Sequence, residues 1–153
     1  MVRPAATTDE ATPNHNAVAA ANLIRLAVLS GDDAWCDKAD HLIAAIAPQA
    51  TENLYMHMAL LNAIDLRLRA AEIVVTGEGA SSDALLDAAR RIPPLDRIVL
   101  HAPSAALLPP AHPARQKLAV DGAAAFVCVG QTCSLPITDP AGLIGAMDTV
   151  RHS

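Results

Sequence analysis

The sequence predicts an α+β fold: three N-terminal helices followed by a small, three-stranded, mainly parallel α/β unit. Three observations carry that prediction. Between residues 16 and 69 the apolar residues recur every three or four positions, the period of a helix with one buried face. At Glu72 the period gives way to two short apolar runs, 73–76 (IVVT) and 97–101 (RIVLH), with a helix-length segment between them. A strand–helix–strand order of that kind implies parallel strands joined by a right-handed crossover. The chain then divides into a flexible arm at 1–14, a helical layer at 15–70 and an α/β unit at 71–153.

Each element has a local cause. Residues 12–16 (TPNHN) form a turn that ends in a helix N-cap, at Asn14 or a neighbour. Val18, Ala21, Leu23, Ile24, Leu26, Ala27 and Val28 make the first helix apolar, and Gly31 suits its C-terminal cap. Asp32 or Asp33 caps a second helix, 34–47, which Pro48 ends. Its face is Trp35, Ala39, Leu42, Ile43 and Ile46, and the two-residue link makes the pair an αα-hairpin. A third helix, 51–69, carries the stripe Leu54, Met58, Leu61, Ile64 and Leu68. Ser81 or Ser82 caps a helix over 83–91. Residues 102–117, rich in Pro and Ala, read as an irregular connection with one helical turn near Ala105. Phe126, Val127, Cys128 and Val129 form the last strand, stopped by Gly130, and Thr138 or Asp139 caps a final helix to Val150.

Composition narrows the function classes. With 52% hydrophobic and 18% charged residues, the 153-residue chain can bury a core. Only 2% of it is aromatic, so that core is built of Ala, Leu, Val and Ile. Sixteen acidic against 11 basic residues give a formal charge of −5, which argues against a nucleic-acid partner. The apolar stretch 17–29 is broken by Asn22 and Arg25, so no membrane span is expected. Residues 1–15 hold no apolar signal region, and three cysteines make an odd count. Together these point to a reducing compartment and a cytoplasmic location.

Candidate sites are few. Cys128 and Cys133 could form a disulfide, a thiol pair or half of a metal site. Cys-x4-Cys without a second close pair is a weak zinc signature, and His101, His112 or His152 would have to complete it. The structural reading is preferred, with Cys128 as a small buried hydrophobe and Cys133 packed beneath the next turn. Gly77-Glu78-Gly79 before a capped helix could cradle an anion on backbone N–H groups, although Ser82 breaks the longer glycine pattern. His101 ends a strand on the same edge as Gly77, and as Gly130 if all strands run parallel. That is the edge where open α/β sheets bind ligands. Asp32 and Asp33 read as a cap rather than a catalytic pair, and Trp35 as hairpin core rather than a sugar platform. No metal and no cofactor are expected.

Four stretches in order resemble a known family: residues 9–16 (DEATPNHN), 22–26 with 30–32 (NLIRL, SGD), 72–75 (EIVV), and 126–128 (FVC) with Cys133 and 136–140 (PITDP). They are similar to the C-terminal end of the thioredoxin-domain-containing proteins related to spermatogenesis-associated protein 20. The resemblance implies a family built from a thioredoxin-like domain and an (α/α)6 toroid like those of six-hairpin glycosidases and N-acylglucosamine 2-epimerases. Residues 1–153 hold neither the thioredoxin-like domain nor most toroid helices, so a C-terminal module standing alone, or a truncated member, is implied. Many members have Pro-Ser-Gly-Asn-Ser where residues 13–17 read PNHNA, with His15 for Gly and Ala17 for Ser. The resemblance turns that loop toward the toroid cavity and leaves Asn16 as its retained polar group.

The expected function is a scaffold or interaction module with no activity of its own. The alternatives are a subunit or fragment of a carbohydrate-active enzyme and a small anion- or nucleotide-binding module. The expected partner is a second copy of the chain, or a chain supplying the missing toroid helices.

Overall fold

A computed structural model describes residues 7–93, 97–115, 122–130 and 132–151. The fold is α+β, and its residues cluster into two compact units, Met1–Leu68 and Arg69–Ser153.

The first unit is helical. Helix α1 (His15–Ser30) begins at Asn14, whose Oδ1 accepts from the N–H groups of Asn16 and Ala17 at 2.9 and 3.4 Å. It ends at Gly31, in the left-handed region at φ 67°, whose N–H donates to the Ala27 carbonyl. Only glycine enters that conformation without a steric cost, so the turn into helix α2 (Ala34–Ala50) is written in the sequence. The buried stripe of α1 is Ala17, Ala20, Ile24 and Ala27, against Ala39, Ile46 and Ala50 of α2. Small side chains there let the two helices pack side by side. Pro48 does not end α2 as expected: it sits in the last turn on the exposed side, where a missing N–H is cheap.

The third helix is shorter than expected. Asn53 is extended, and its Oδ1 accepts from the Tyr55 N–H at 3.2 Å, so a single 3-10 turn (Leu54–His57) precedes helix α3 (Met58–Arg69). Its buried stripe is Leu60, Ala63 and Leu66, one step round from the expected one. Leu54, Met58 and Leu68 face solvent instead.

The second unit is a four-stranded mixed sheet with two helices on one face. Strands β1 (Ala71–Val75), β2 (Arg97–His101), β3 (Ala125–Val129) and β4 (Thr132–Cys133) lie in the order β2-β1-β3-β4. β1 and β2 are parallel, with Ala71 opposite Arg97 and Val75 opposite His101. Helix α4 (Ala80–Arg91) makes the crossover, and its N-cap is Gly79 rather than Ser81 or Ser82. β3 runs antiparallel to β1, so the sheet is mixed rather than mainly parallel and has four strands rather than three. The reason lies in the connection after β2. Among its described residues it carries a 3-10 turn (Ala105–Leu107) and no α-helix that would return the chain to the far edge before β3. Ala102, Leu108 and Ala114 of this connection lie against Val74, Phe126 and Cys128 on one sheet face. β3 therefore starts at the edge where β1 and β2 end, and Gly130 lies at the opposite end from Gly77 and His101.

Strand alternation divides the sheet between two cores. Ile73, Val75, Ala125 and Val127 meet Leu85, Leu86 and Ala89 of α4, and Leu143 and Met147 of helix α5 (Gly142–Arg151). Val74 and Phe126 point to the other face, with the 102–115 connection over them. Ile73, Val74, Val75, Phe126 and Val127 are all fully buried, so β1 and β3 form the hydrophobic centre of this unit.

Candidate functional site

The C-terminal edge of the parallel pair brings Gly77, Gly79 and His101 together, with Ser82 beside them. Gly77 has a packing cause: a Cβ there would lie 2.9 Å from the Ala123 Cα, and its φ is +78°. Gly79, at φ +84°, opens the first turn of α4 and faces open space. The His101 Nε2 lies 3.0 Å from the Gly77 carbonyl and 3.3 Å from the Ser82 Oγ. The carbonyl can only accept, so Nε2 carries the proton and donates to it. A protonated Nε2 cannot take the Ser82 proton, so these two side chains are not an activated nucleophile and base. Glu78 is exposed beside the turn and Asp83 lies in the first turn of α4, so carboxylates already face the helix dipole.

The N-terminal loop is organised by Asp9, which sequence reasoning did not single out. One carboxylate oxygen accepts from the Asn14 N–H and the other from the Ala59 N–H, both at 2.7 Å. The Asp9 N–H donates to the Met56 carbonyl at 2.7 Å. One side chain thereby ties the start of α1 to the start of α3, and residues 8–14, expected as a loose arm, are held against the helical layer. Asn14 is the buried polar residue of the loop, and its Nδ2 donates to the Thr8 carbonyl at 3.2 Å. Asn16, the expected cavity residue, is half-buried in the first turn of α1. A shallow hollow of ≈ 180 Å³ is lined by Thr8, Glu10, Thr12, Pro13, Asn14 and His15. The nearby His57 is buried: its Nδ1 donates to the Asn53 carbonyl at 2.9 Å, while its Nε2 has no hydrogen-bond partner among the described residues.

Cys128 and Cys133 stand opposite each other in the β3–β4 register and are joined by a disulfide. Cys133 thus lies on a short strand, not beneath the next turn as expected. Cys128 is fully buried and Cys133 half-exposed. On the other side of Cys128, directly across β1, stands Glu72. Its carboxylate accepts from the His112 Nε2–H at 2.8 Å, while the His112 Nδ1 accepts from the Ala114 N–H at 3.1 Å. Both imidazole nitrogens are therefore occupied, and the pair pins the 102–115 connection to the sheet. Among the described residues no three His, Cys, Asp or Glu side chains gather into a metal-binding group. The third cysteine, Cys36, is free, and burial pushes its thiol pKa up against the opposing pull of Arg67.

No protein-family model matches the chain, and no solved structure matches it. Among the described residues no helix is long and apolar enough to cross a membrane. Two curated proteins do match: spermatogenesis-associated protein 20 of Homo sapiens and its counterpart in Rattus norvegicus, each 31% identical over 144 residues. Each alignment covers 88% of this chain but 18% of the relative, so the chain spans under a fifth of the length of the proteins it matches. Along nearly all its length, this chain resembles the spermatogenesis-associated protein 20 family.

Proposed function

We propose that this chain is a non-catalytic scaffold or interaction module of the spermatogenesis-associated protein 20 type, and that its helical layer binds a second copy of the chain. The observation that carries this reading is the run Leu54, Tyr55, Met56 and Met58. All four large apolar side chains are exposed around one 3-10 turn, Tyr55 at 89%. Three hydrogen bonds from two neighbouring residues hold that turn in place: Asp9 bonds to Met56 and Ala59, and Asn53 to Tyr55. A rigidly presented apolar surface is the usual mark of an interaction site, and a twofold pair is the commonest way to cover one.

Sedimentation velocity at micromolar concentration tests the proposal. A dimer that the double substitution Tyr55→Ser, Met58→Ser converts to a folded monomer supports it. A wild-type monomer that binds no hydrophobic dye contradicts it.

The second reading, a small anion-binding module, draws on the meeting of Gly77, Gly79 and His101 at one strand edge. The carboxylates of Glu78 and Asp83 work against it. Thermal stabilisation by millimolar inorganic phosphate, lost in His101→Ala, would favour it over the scaffold.

A further inference from the structure

We infer that the Cys128–Cys133 disulfide is a redox-operated latch on the outer edge of β3, rather than a crosslink that holds the fold together. It rests on the β3 edge alone and does not depend on the assembly proposed above.

The outer edge of β3 is covered by one strap, residues 132–137. The Ala125 N–H donates to the Ile137 carbonyl at 2.8 Å and the Ile137 N–H returns a bond at 2.9 Å. Between them the Ser134 N–H donates to the Val127 carbonyl at 2.8 Å, and the Val127 N–H donates to the Ser134 Oγ at 3.1 Å. Thr132 pairs with Val129 and Cys133 with Cys128. Val127 and Ala125 spend their outward hydrogen-bonding groups on the strap, so by alternation Phe126 and Cys128 turn theirs toward β1.

The two ends of the strap are held differently. Ile137 packs against the buried cluster under α4 and α5. Thr132, Leu135 and Pro136 are exposed, Leu135 at 83%. The apolar contact of this two-residue strand is Cys133 itself, against the cluster that holds Cys128. A strand this short is marginal in water, so the disulfide adds the covalent hold at the 132–134 end. Its contribution to the fold as a whole is small, because a sequence separation of 5 closes a loop with little chain entropy to lose. The cluster of Ile73, Val75 and Val127 with Leu85 and Leu143 does not include the disulfide, while on the other sheet face Cys128 packs with Val74 and Phe126.

The chemistry has a defined entry point. Cys128 is fully buried and Cys133 is half-exposed, so a thiolate of a dithiol reductant attacks the Cys133 Sγ. The S–S bond breaks as a mixed disulfide forms on Cys133, and Cys128 leaves as a thiolate that takes a proton from solvent. The second thiolate of the reductant then attacks its own sulfur in the mixed disulfide. The reductant closes as a cyclic disulfide, and Cys133 leaves and is protonated. Two electrons and two protons have passed to the pair. The strap opens from Thr132 to Ser134 while Ile137 keeps its place. Reduction thus bares the edge of a buried strand without unfolding the sheet.

Native-state hydrogen exchange on the full chain, with and without dithiothreitol, tests this in a Cys36→Ser background so that alkylation counts only the pair. The bond is expected to reduce without denaturant. The Ser134 and Val127 amides should then lose at least about tenfold in protection, while Phe126 and Cys128 keep theirs. Cys133→Ala should show the same local loss without reductant. A bond that resists dithiothreitol until the protein unfolds would overturn the latch. So would unchanged protection at Ser134 and Val127 in the reduced protein or in Cys133→Ala, or a loss that spreads to Phe126.

Discussion

The two units of this chain solve the problem of a nearly ring-free sequence in opposite ways. The second unit places its one phenylalanine, Phe126, and the branched residues Ile73, Val74, Val75 and Val127 at 0% exposure in two adjacent strands. The helical unit buries mainly small residues, Ala17, Ala20, Ala27, Ala39 and Ala50, with Ile24, Ile46, Leu60 and Leu66 among them. Others of its larger apolar side chains, among them Leu54, Tyr55, Met56, Met58 and Leu68, stay outside. An alanine-rich interface gains little from apolar burial per residue, and the unit compensates with polar ties, Asp9 above all. The difference separates a unit that buries its large apolar residues in its own core from one that leaves several of them exposed.

The sharpest way to break this comparison is to empty the sheet core. Phe126→Ala should cost about 3–5 kcal/mol, because the ring is fully buried and the strands around it cannot close the gap. Denaturant unfolding followed by sheet-sensitive circular dichroism measures it, and a loss under 1 kcal/mol, on the scale of ordinary surface substitutions, would show that the unit is loosely packed. In the helical unit a polar residue takes the equivalent place. Asp9→Ala leaves the Asn14 and Ala59 N–H groups without their acceptor and should cost about 2 kcal/mol. Asp9→Asn, which can still accept from one of them, should lose roughly half of that. If alanine and asparagine are equally harmless by the same measurement, the carboxylate is not what ties α1 to α3.

Much of this was legible in the sequence. Asn14 and Gly31 frame α1 as read, since both caps depend on local chemistry alone. Strand β2 and the turn at Ala105 also fall where local pattern put them. What escaped was long-range or degenerate. The third helix has apolar residues on two adjacent stripes, so periodicity could not decide between Leu54–Met58–Leu61 and Leu60–Ala63–Leu66. The direction of β3 was set by a connection without a period. The Asp9–Ala59 and His112–Glu72 bonds span 50 and 40 residues, beyond any local signal. His101 ends its strand beside Gly77, while Gly130, on the same edge only if all strands ran parallel, lies at the opposite end. The proton on the His101 Nε2 became visible only with the Gly77 carbonyl beside it.

Two smaller effects sharpen the contrast. Glu72 stands opposite Cys128, so its negative charge disfavours the thiolate that departs when the disulfide is reduced. Glu72→Gln should keep an acceptor for His112 and raise the rate of reduction by dithiothreitol about threefold or more, read by alkylation and mass. An unchanged rate would remove Glu72 from the account. On the helical side, Arg67 grips Asp40 through two bonds of 2.8 and 2.9 Å, but both side chains are more than a third exposed. Asp40→Ala should therefore cost no more than about 1 kcal/mol in the same denaturant assay.

The central claim is that the helical unit, and not the sheet, carries the surface that a second copy covers. Hydrogen exchange of the whole chain at rising protein concentration tests it most directly. The claim predicts that amides of residues 54–58 gain protection as concentration rises through the dimer range, while those of β1 and β3 do not change. Exchange at residues 54–58 that is independent of concentration, or protection that appears in the sheet instead, would contradict it.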